Sequence, residues 1–233
     1  MDVSYRVRTH AAVAELPVEQ RAVFISRTYL HLFGAIALFT LIEAALFVTG
    51  LAYPLANAML GVSWLLVLGG FMVVGWLGSS VAARAESKPA QYAALLAYVV
   101  AEALLFVPLL AIAESTAGGG VIASAAAVTL VGFAALTGIA WTSRKDFSFL
   151  GGLLKWIGVG AVVGIIASVA FGFQLGTWFS VGMVIFAGAA ILYDTSRVMH
   201  HYPEDRYIAA SLSLFASVAL LFWYVLRIFM SRD

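Results

Sequence analysis

The chain reads Ile191-Leu-Tyr-Asp-Thr-Ser-Arg-Val-Met-His-His201 where one long apolar run ends, and a second apolar run follows and closes with Leu226-Arg-Ile-Phe229. Asp194 stands about one helical turn before the end of the first run. An ionisable carboxylate inside a long apolar helix is costly in lipid and marks a functional site by default. Asp194 is therefore the first candidate site residue.

Composition predicts an integral membrane protein. The 233 residues are 63% hydrophobic and only 11% charged, whereas charged residues make up roughly a quarter of a soluble domain. The apolar residues fall in runs of about twenty, the length that crosses a hydrocarbon core of about 30 Å as a helix. Barrel strands are about half that length. We therefore predict an all-α membrane protein built as a helical bundle.

The apolar runs predict seven transmembrane helices joined by short connections. They cover about 30–50, 58–83, 90–113, 120–142, 150–172, 177–199 and 208–229. The residues before them are polar and lack the apolar core of a secretory signal, so we expect the first run to remain as an anchor. The predicted domains are a cytoplasmic tail with an interfacial helix, 1–29, and a seven-span membrane domain, 30–233.

Lysine and arginine predict the orientation, because they collect in short cytoplasmic loops. They lie before the first span and in or beside the second, fourth and sixth connections, whereas the odd connections carry none. These residues are Arg6, Arg8, Arg21, Arg27, Arg84, Lys88, Arg144, Lys145, Lys155, Arg197 and Arg206. We expect a cytoplasmic amino terminus. Seven full crossings place Arg232 outside, which the rule disfavours, so a seventh segment that re-enters the membrane stays an alternative.

Several functions are disfavoured by what the sequence lacks. A net charge of +1 offers no basic surface for nucleic acid, and without cysteine there is no thiolate nucleophile. There is no His-Glu-x-x-His zinc helix and no glycine-rich loop with a lysine for nucleotide phosphates. The seventh span has no second aspartate to join Asp194 in aspartyl catalysis. We expect no enzymatic activity, no cofactor and no metal centre, with the lipid bilayer as the first partner.

Three carboxylates fall inside the predicted spans: Glu43, Glu102 and Asp194. Each charge costs roughly 2.5–3.5 kcal/mol at mid-bilayer, so each should face the bundle, pair or be protonated. Glu43 and Glu102 could line a hydrated ion path, or be protonated and hydrogen-bonded to a facing helix. Asp194 shares a helix face with Arg197 and His201. It could latch a cytoplasmic gate through a neighbouring helix, or simply pair with Arg197.

Two glycine pairs have the four-residue spacing that lets helices approach closely, Gly160 with Gly164 and Gly172 with Gly176. We expect packing positions there rather than ligand sites. His200 and His201 would suit a pH sensor, because histidine titrates near physiological pH. In an exposed connection, we expect them to be solvated.

Four features together resemble a known family. They are the lead-in Phe24-Ile-Ser-Arg-Thr-Tyr-Leu30, the closely spaced spans, the block Ile191-Leu-Tyr-Asp-Thr-Ser196 and the terminal Leu-Arg-Ile-Phe at 226–229. They resemble the Bax inhibitor-1 (transmembrane Bax inhibitor motif) family over nearly the whole chain. The serine-rich seventh span and the ending Ser231-Arg-Asp233 are most similar to the bacterial branch typified by YccA, a protein associated with the FtsH membrane protease. The resemblance implies a bacterial inner membrane and a central seventh helix wrapped by the other six.

In better-studied members, the resemblance implies a pH-sensitive calcium leak closed by two aspartates that share a proton. Asp194 matches the first aspartate, and the second falls on Ser217, ten residues before Arg227. A serine can donate a hydrogen bond but cannot take part in the coupled titration of two carboxylates. Arg84 is the nearest choice for a latch cation at the second span. The predicted gate is thus Asp194, Ser217, Arg197 and Arg84, and the predicted ion path is Glu43 and Glu102.

The expected function is regulation of membrane-protein quality control or membrane homeostasis, without enzymatic activity. An FtsH-type protease is the expected partner for the amino-terminal tail and the even connections. The alternative is a calcium or cation leak that responds to protons around Asp194. These two functions belong to different classes, and the sequence leaves both open.

Overall fold

The computed structural model describes residues 12–118, 120–143 and 145–231. Arg6, Arg8, Arg144 and Arg232, which enter the orientation argument, lie outside the described residues. A single 3-10 turn at Val13–Glu15 precedes the α-helices. The helices are α1 (Val18–Val48), α2 (Ala52–Leu60), α3 (Trp64–Arg84), α4 (Lys88–Thr116), α5 (Val121–Ser143), α6 (Leu150–Phe171), α7 (Thr177–His200) and α8 (Tyr207–Met230).

Seven of these helices, all except α2, are long and apolar enough to cross a membrane, which confirms the predicted all-α membrane bundle. The first of them is longer than predicted. α1 has 31 residues, or about 46 Å at about 1.5 Å per residue, so the lead-in helix and the first span form one continuous element. No break marks residues 29–30, and the boundary between tail and membrane domain stays a prediction.

The short helix α2 was not predicted from the sequence. Tyr53-Pro54 is typical of a turn, but Pro54 occupies the third position of α2. The first N–H groups of a helix have no intrahelical partner, so a proline there removes no helix hydrogen bond. α2 places Ala52 and Ala56 against Val107 of α4. Burial of these small side chains keeps the segment helical although it is too short to span.

α8 is the most buried of the seven spans. It packs against α1, α3, α4, α5 and α7, whereas α6 packs against α7. The expected enclosure of the seventh span by all six others is therefore not confirmed. α8 is one continuous helix of 24 residues, about 36 Å long at about 1.5 Å per residue. This length suffices for a full crossing of the hydrocarbon core.

The amino-terminal segment and the three even connections meet at one end of the bundle. Their contacts run from the Val13 N–H to the Tyr202 carbonyl, from Arg206 to the Ala85 carbonyl and from His201 to Asp146. This is the end where the lysines and arginines collect. The positively charged connections predicted from the sequence thus lie together at one end of the bundle. That this end faces the cytoplasm stays a prediction.

Glycine is required where α6 meets α7. A Cβ on Gly151 would lie 2.8 Å from the ring of Tyr193, a distance that real Cβ atoms do not adopt. By contrast, Cβ atoms on either of the predicted pairs, Gly160–Gly164 and Gly172–Gly176, would meet nothing within 4 Å in the described part of the chain. The prediction of close packing at these pairs is wrong. Gly172 instead ends α6 in the left-handed conformation, with φ +71°.

Candidate functional site

Asp194 lies near the end of α7 and is held by two hydroxyl groups of α8. Ser217 Oγ donates to Asp194 Oδ2 at 2.6 Å, and Ser213 Oγ donates to Oδ1 at 2.7 Å. The serines are four residues apart and therefore lie on the same face of α8. Each carboxylate oxygen accepts one hydroxyl. We call Asp194, Ser213 and Ser217 the serine latch.

The serine latch is mostly buried, and only Ser213 is half-buried. The Asp194 residue is 5% exposed, and Ser217 is also buried. Burying a carboxylate is unfavourable unless hydrogen bonds replace its water. The hydroxyls of Ser217 and Ser213 supply these hydrogen bonds. The sequence predicted Ser217 as the neighbour of Asp194, and the structure brings the two together. Ser213 belongs to the hydroxyl series of the seventh span, Ser211, Ser213 and Ser217, but the sequence did not assign it to Asp194, although its four-residue spacing from Ser217 was a usable signal.

Arg197 does not form the local ion pair with Asp194 that the sequence left open. Its guanidinium lies 4.7 Å from the ring centre of Tyr202 and 5.5 Å from that of Tyr193. Among the ion pairs of the described residues, none within 4.0 Å joins Arg197 to Asp194. Burial raises the pKa of Tyr202 to about 12, and the Arg197 charge opposes that rise. Tyr202 is therefore a neutral ring beneath a cation.

Arg84 is not brought to the latch. It is an exposed residue in the last turn of α3. The groups that act on Asp194 are the two serines and, through its charge, Arg197. The candidate latch cation of the second span thus lies away from the carboxylate it was expected to meet.

Glu102 lines a cavity that reaches the latch. Its Oε1 accepts a hydrogen bond from Tyr98 Oη at 2.8 Å, one turn earlier in α4. The cavity has a volume of about 300 Å³, lies between α4, α7 and α8, and is also lined by Ser217. We call it the Glu102 cavity. Because Ser217 donates to Asp194, one side chain separates this space from the latch carboxylate.

Glu43 lines a separate space, the Glu43 cavity, of about 180 Å³ between α1, α4, α5 and α8. Phe39, Phe215 and Phe222 make most of its walls apolar. Both carboxylate oxygens of Glu43 are buried and have no hydrogen-bond partner among the described residues. Ala219 lines both cavities. The two glutamates predicted to share an ion path therefore lie in different chambers, with α8 between them.

A second carboxylate contact, at the end of α7, was not predicted. His201 Nε2 lies 2.9 Å from Asp146 Oδ2, and both side chains are 45% exposed. Ser196 Oγ donates to Asp146 Oδ1 at 3.1 Å. The backbone N–H of Ser148 lowers the pKa of the Asp146 carboxyl below its usual range, with smaller contributions from His201 and Ser196. We call Asp146 and His201 the loop pair. His201 is thus partnered rather than merely solvated.

A profile of the family described as "Inhibitor of apoptosis-promoting Bax1" matches residues 21–233. The chain belongs to the Bax inhibitor-1 family. This match confirms the resemblance drawn from the lead-in and from the Tyr193-Asp194-Thr195 block.

Individual relatives extend from bacteria to yeast. "Modulator of FtsH protease YccA" of Escherichia coli K12 is 31% identical over 153 residues, which cover 64% of this chain and 69% of the relative. An uncharacterised Pseudomonas aeruginosa protein is 41% identical over 115 residues, 48% of this chain and 50% of the relative. "Bax inhibitor 1" of Schizosaccharomyces pombe is 30% identical over 171 residues, which cover 71% of this chain and 61% of the relative. The match spans half the length of the Pseudomonas relative, and the bacterial matches support the YccA-like branch.

Proposed function

We propose that this protein is a bacterial inner-membrane regulator of membrane-protein quality control that binds an FtsH-type protease. Its relative in Escherichia coli K12 carries the name of a modulator of that protease, and a second Escherichia coli relative is named an inner membrane protein. The lysines and arginines support a cytoplasmic location for the end that holds the amino-terminal segment. That end would be the surface that a cytoplasmic partner meets.

A cleft at this end carries the proposal. It has a volume of about 520 Å³ and lies between the start of α1, the start of α4 and the α7–α8 connection. Its lining combines apolar side chains with charges of both signs, so it offers a partner both apolar surface to bury and charges to complement. We call it the tail cleft. It is lined by Leu16, Glu19, Gln20, Val23, Phe24, Arg27, Lys88, Glu204, Asp205 and Tyr207.

The amino-terminal segment beside the tail cleft is connected to the serine latch through Tyr202 and Arg197. The Val13 N–H donates to the Tyr202 carbonyl at 3.0 Å, so the amino-terminal segment is tied to the α7–α8 connection. The buried Tyr202 ring in turn packs against Arg197, whose charge acts on Asp194. A partner that moves the amino-terminal segment would therefore move Tyr202, and with it the surroundings of the latch.

The proposal is tested by capture of a purified FtsH-type protease on the immobilised, detergent-solubilised chain. Glu19→Lys combined with Glu204→Lys reverses two carboxylates of the tail cleft. We expect capture to fall about fivefold or more, since wrong-sign charges at an interface are strongly unfavourable.

The matched control is Glu114→Lys, which reverses an exposed carboxylate near the opposite end of α4. This variant should capture as much protease as the wild type. The absence of capture by the wild type, or equal capture by the double variant, would contradict the proposal.

A second function, a pH-sensitive calcium or cation leak, is favoured by the Glu102 cavity. This space brings a buried carboxylate to Ser217, which holds the latch closed. Calcium prefers six to eight oxygen ligands, often several carboxylates. The residues that the structure describes contain no group of three or more histidine, aspartate or glutamate side chains that could hold a metal. The leak would therefore depend on transient passage rather than on a tight calcium site.

Calcium flux into dye-loaded proteoliposomes tests the leak. Asp194→Asn should raise flux and remove its pH dependence, because the neutral side chain holds the serines more weakly. Glu102→Gln should reduce flux, while Glu43→Gln, in the other cavity, should leave it unchanged. Flux no greater than in empty vesicles would exclude the leak, and unchanged flux in Asp194→Asn would exclude the gate role of that residue.

A further inference from the structure

Glu43 is a buried carboxyl group without a partner. It is 6% exposed, and neither oxygen has a hydrogen bond among the described residues. Leaving a buried polar group unpaired costs about 1–3 kcal/mol, and more if it is charged. Glu102, by contrast, has Tyr98 as a donor. The Glu43 side chain lines its cavity, so a group placed there could supply the missing hydrogen bonds.

The Glu43 cavity opens toward the bilayer between two helices. α1 and α5 each pack extensively against α8, and they contact one another through Tyr29, Phe133 and Trp141, with Tyr29 about four helical turns from Glu43. Thr40 of α1 and Leu130 of α5 line the cavity and are exposed. Side chains exposed in the middle of a membrane span face lipid. Two side chains of the cavity wall thus lie on the outer surface of the bundle, where a molecule dissolved in the membrane would meet them.

We propose that the Glu43 cavity binds a small lipophilic amine that enters from the bilayer. An ammonium group offers three donors and a positive charge to the two unpaired oxygens of Glu43. The apolar body of the ligand would lie among Phe39, Phe215 and Phe222, whose rings also favour a nearby cation. This proposal does not depend on the protease partner or on the leak.

Size and donor chemistry define this ligand class. The volume of about 180 Å³ is similar to that of an engineered cavity of about 150 Å³ that binds benzene. One aromatic ring with a short aminoalkyl chain therefore fits. A metal ion does not match the lining, because Glu43 is the single carboxylate among the lining residues and hard cations prefer several oxygen ligands, often with more than one carboxylate. The Thr40 and Thr129 hydroxyls donate to the carbonyls of Ile36 and Ala125, so they do not donate to Glu43.

Fluorine NMR with 4-fluorophenethylamine tests the site on the full chain in phosphatidylcholine nanodiscs. Binding should be saturable and displaced by unlabelled phenethylamine, which separates it from partition into lipid. Glu43→Gln should weaken binding at least about tenfold, because the ammonium loses its charged acceptor. The neutral analogue 2-(4-fluorophenyl)ethanol should bind weakly and show little change on this substitution.

Two further variants make the result specific. Glu102→Gln removes a buried carboxyl from the other cavity and should leave amine binding intact. Ala126→Leu adds bulk to the wall of the Glu43 cavity while keeping the carboxyl, and should abolish binding even where Glu43→Gln fails to fold. Amine affinity retained in Ala126→Leu or in folded Glu43→Gln would overturn the proposal, as would non-saturable partition alone in the wild type.

Discussion

Two aspartates are held at the end of α7, Asp194 within the bundle and Asp146 in the α5–α6 connection. Asp194 is 5% exposed and accepts hydrogen bonds from two serines of α8. The Asp146 side chain is 45% exposed and lies against His201 and Ser196. In the interior, serine hydroxyls replace water around the Asp194 carboxyl group, whereas at the exposed end the Asp146 side chain also remains in contact with solvent. The serine latch should therefore dominate stability, and the loop pair should respond to solution conditions.

The largest effect is expected from Asp194→Ala. It removes the acceptor of the buried Ser217 hydroxyl and of the half-buried Ser213 hydroxyl, and we expect the free energy of unfolding to fall by about 2–4 kcal/mol. Asp146→Ala should cost about 1 kcal/mol or less, because exposed ion pairs contribute little. Reversible unfolding in mixed micelles measures both. Equal losses in the two variants would remove the distinction between the sites.

The two latch serines should act as a unit. We expect Ser213→Ala and Ser217→Ala each to cost about 1–2 kcal/mol. The double variant should depart from the sum by about 0.5 kcal/mol or more, because both hydroxyls serve one carboxylate. Ser211→Ala is the control, since Ser211 donates to the Ile208 carbonyl instead. Strict additivity in the double-mutant cycle would show that the serines do not share Asp194.

The loop pair should lose its contribution in acid. The pKa of Asp146 is lower in the folded protein than in the unfolded chain. Its contribution is therefore fully present above the ordinary aspartate pKa of about 4 and disappears as the pH falls through the folded value. Asp146→Asn should be less stable than the wild type at pH 7, and the two unfolding curves should converge below about pH 4. A difference that stays constant from pH 7 to pH 3 would contradict this assignment.

The smallest expected effect is that of salt. At about 1 M ionic strength the Debye length falls to about 3 Å, so exposed charges are screened while buried groups are not. The stability difference between the wild type and Asp146→Asn should shrink in 1 M NaCl. The difference between the wild type and Asp194→Ala should not change. A salt dependence of the second difference would indicate that water reaches the latch.

The sequence was sufficient for the elements that depend on apolar run length. Runs of about twenty residues predicted the seven spans because only such helices satisfy their backbone groups within lipid. α2 was missed, since Pro54 indicates a turn unless the burial of Ala52 and Ala56 is known. The Gly160–Gly164 spacing predicted that another helix packs closely against these glycines, but in the structure the close contact of α6 with α7 is at Gly151. Spacing alone does not show which face of a helix has a neighbour.

At the site, contacts within one helix or between neighbouring helices were the more predictable. Ser217 was reached through the family resemblance, because the second aspartate of the family's pattern falls on this position, ten residues before Arg227. The pairing of Asp146 with His201 spans 55 residues and depends on how α5 and α6 return to α7. Arg84 was predicted as the latch cation because it is the nearest positive charge at the second span. Whether its side chain reaches Asp194 depends on how α3 packs in the bundle, which no local sequence pattern shows.

The spacing of the two latch serines has a consequence for sliding of the helices. A shift of α8 by one turn, about 5.4 Å, would bring Ser213 to the place of Ser217 and Ala209 to that of Ser213. The opposite shift would bring Ser217 to the place of Ser213 and Leu221 to that of Ser217. In either case Asp194 would keep one hydroxyl. The native register is thus the one in which both oxygens of Asp194 are bonded, and a slide of one turn in either direction would cost one of these two hydrogen bonds.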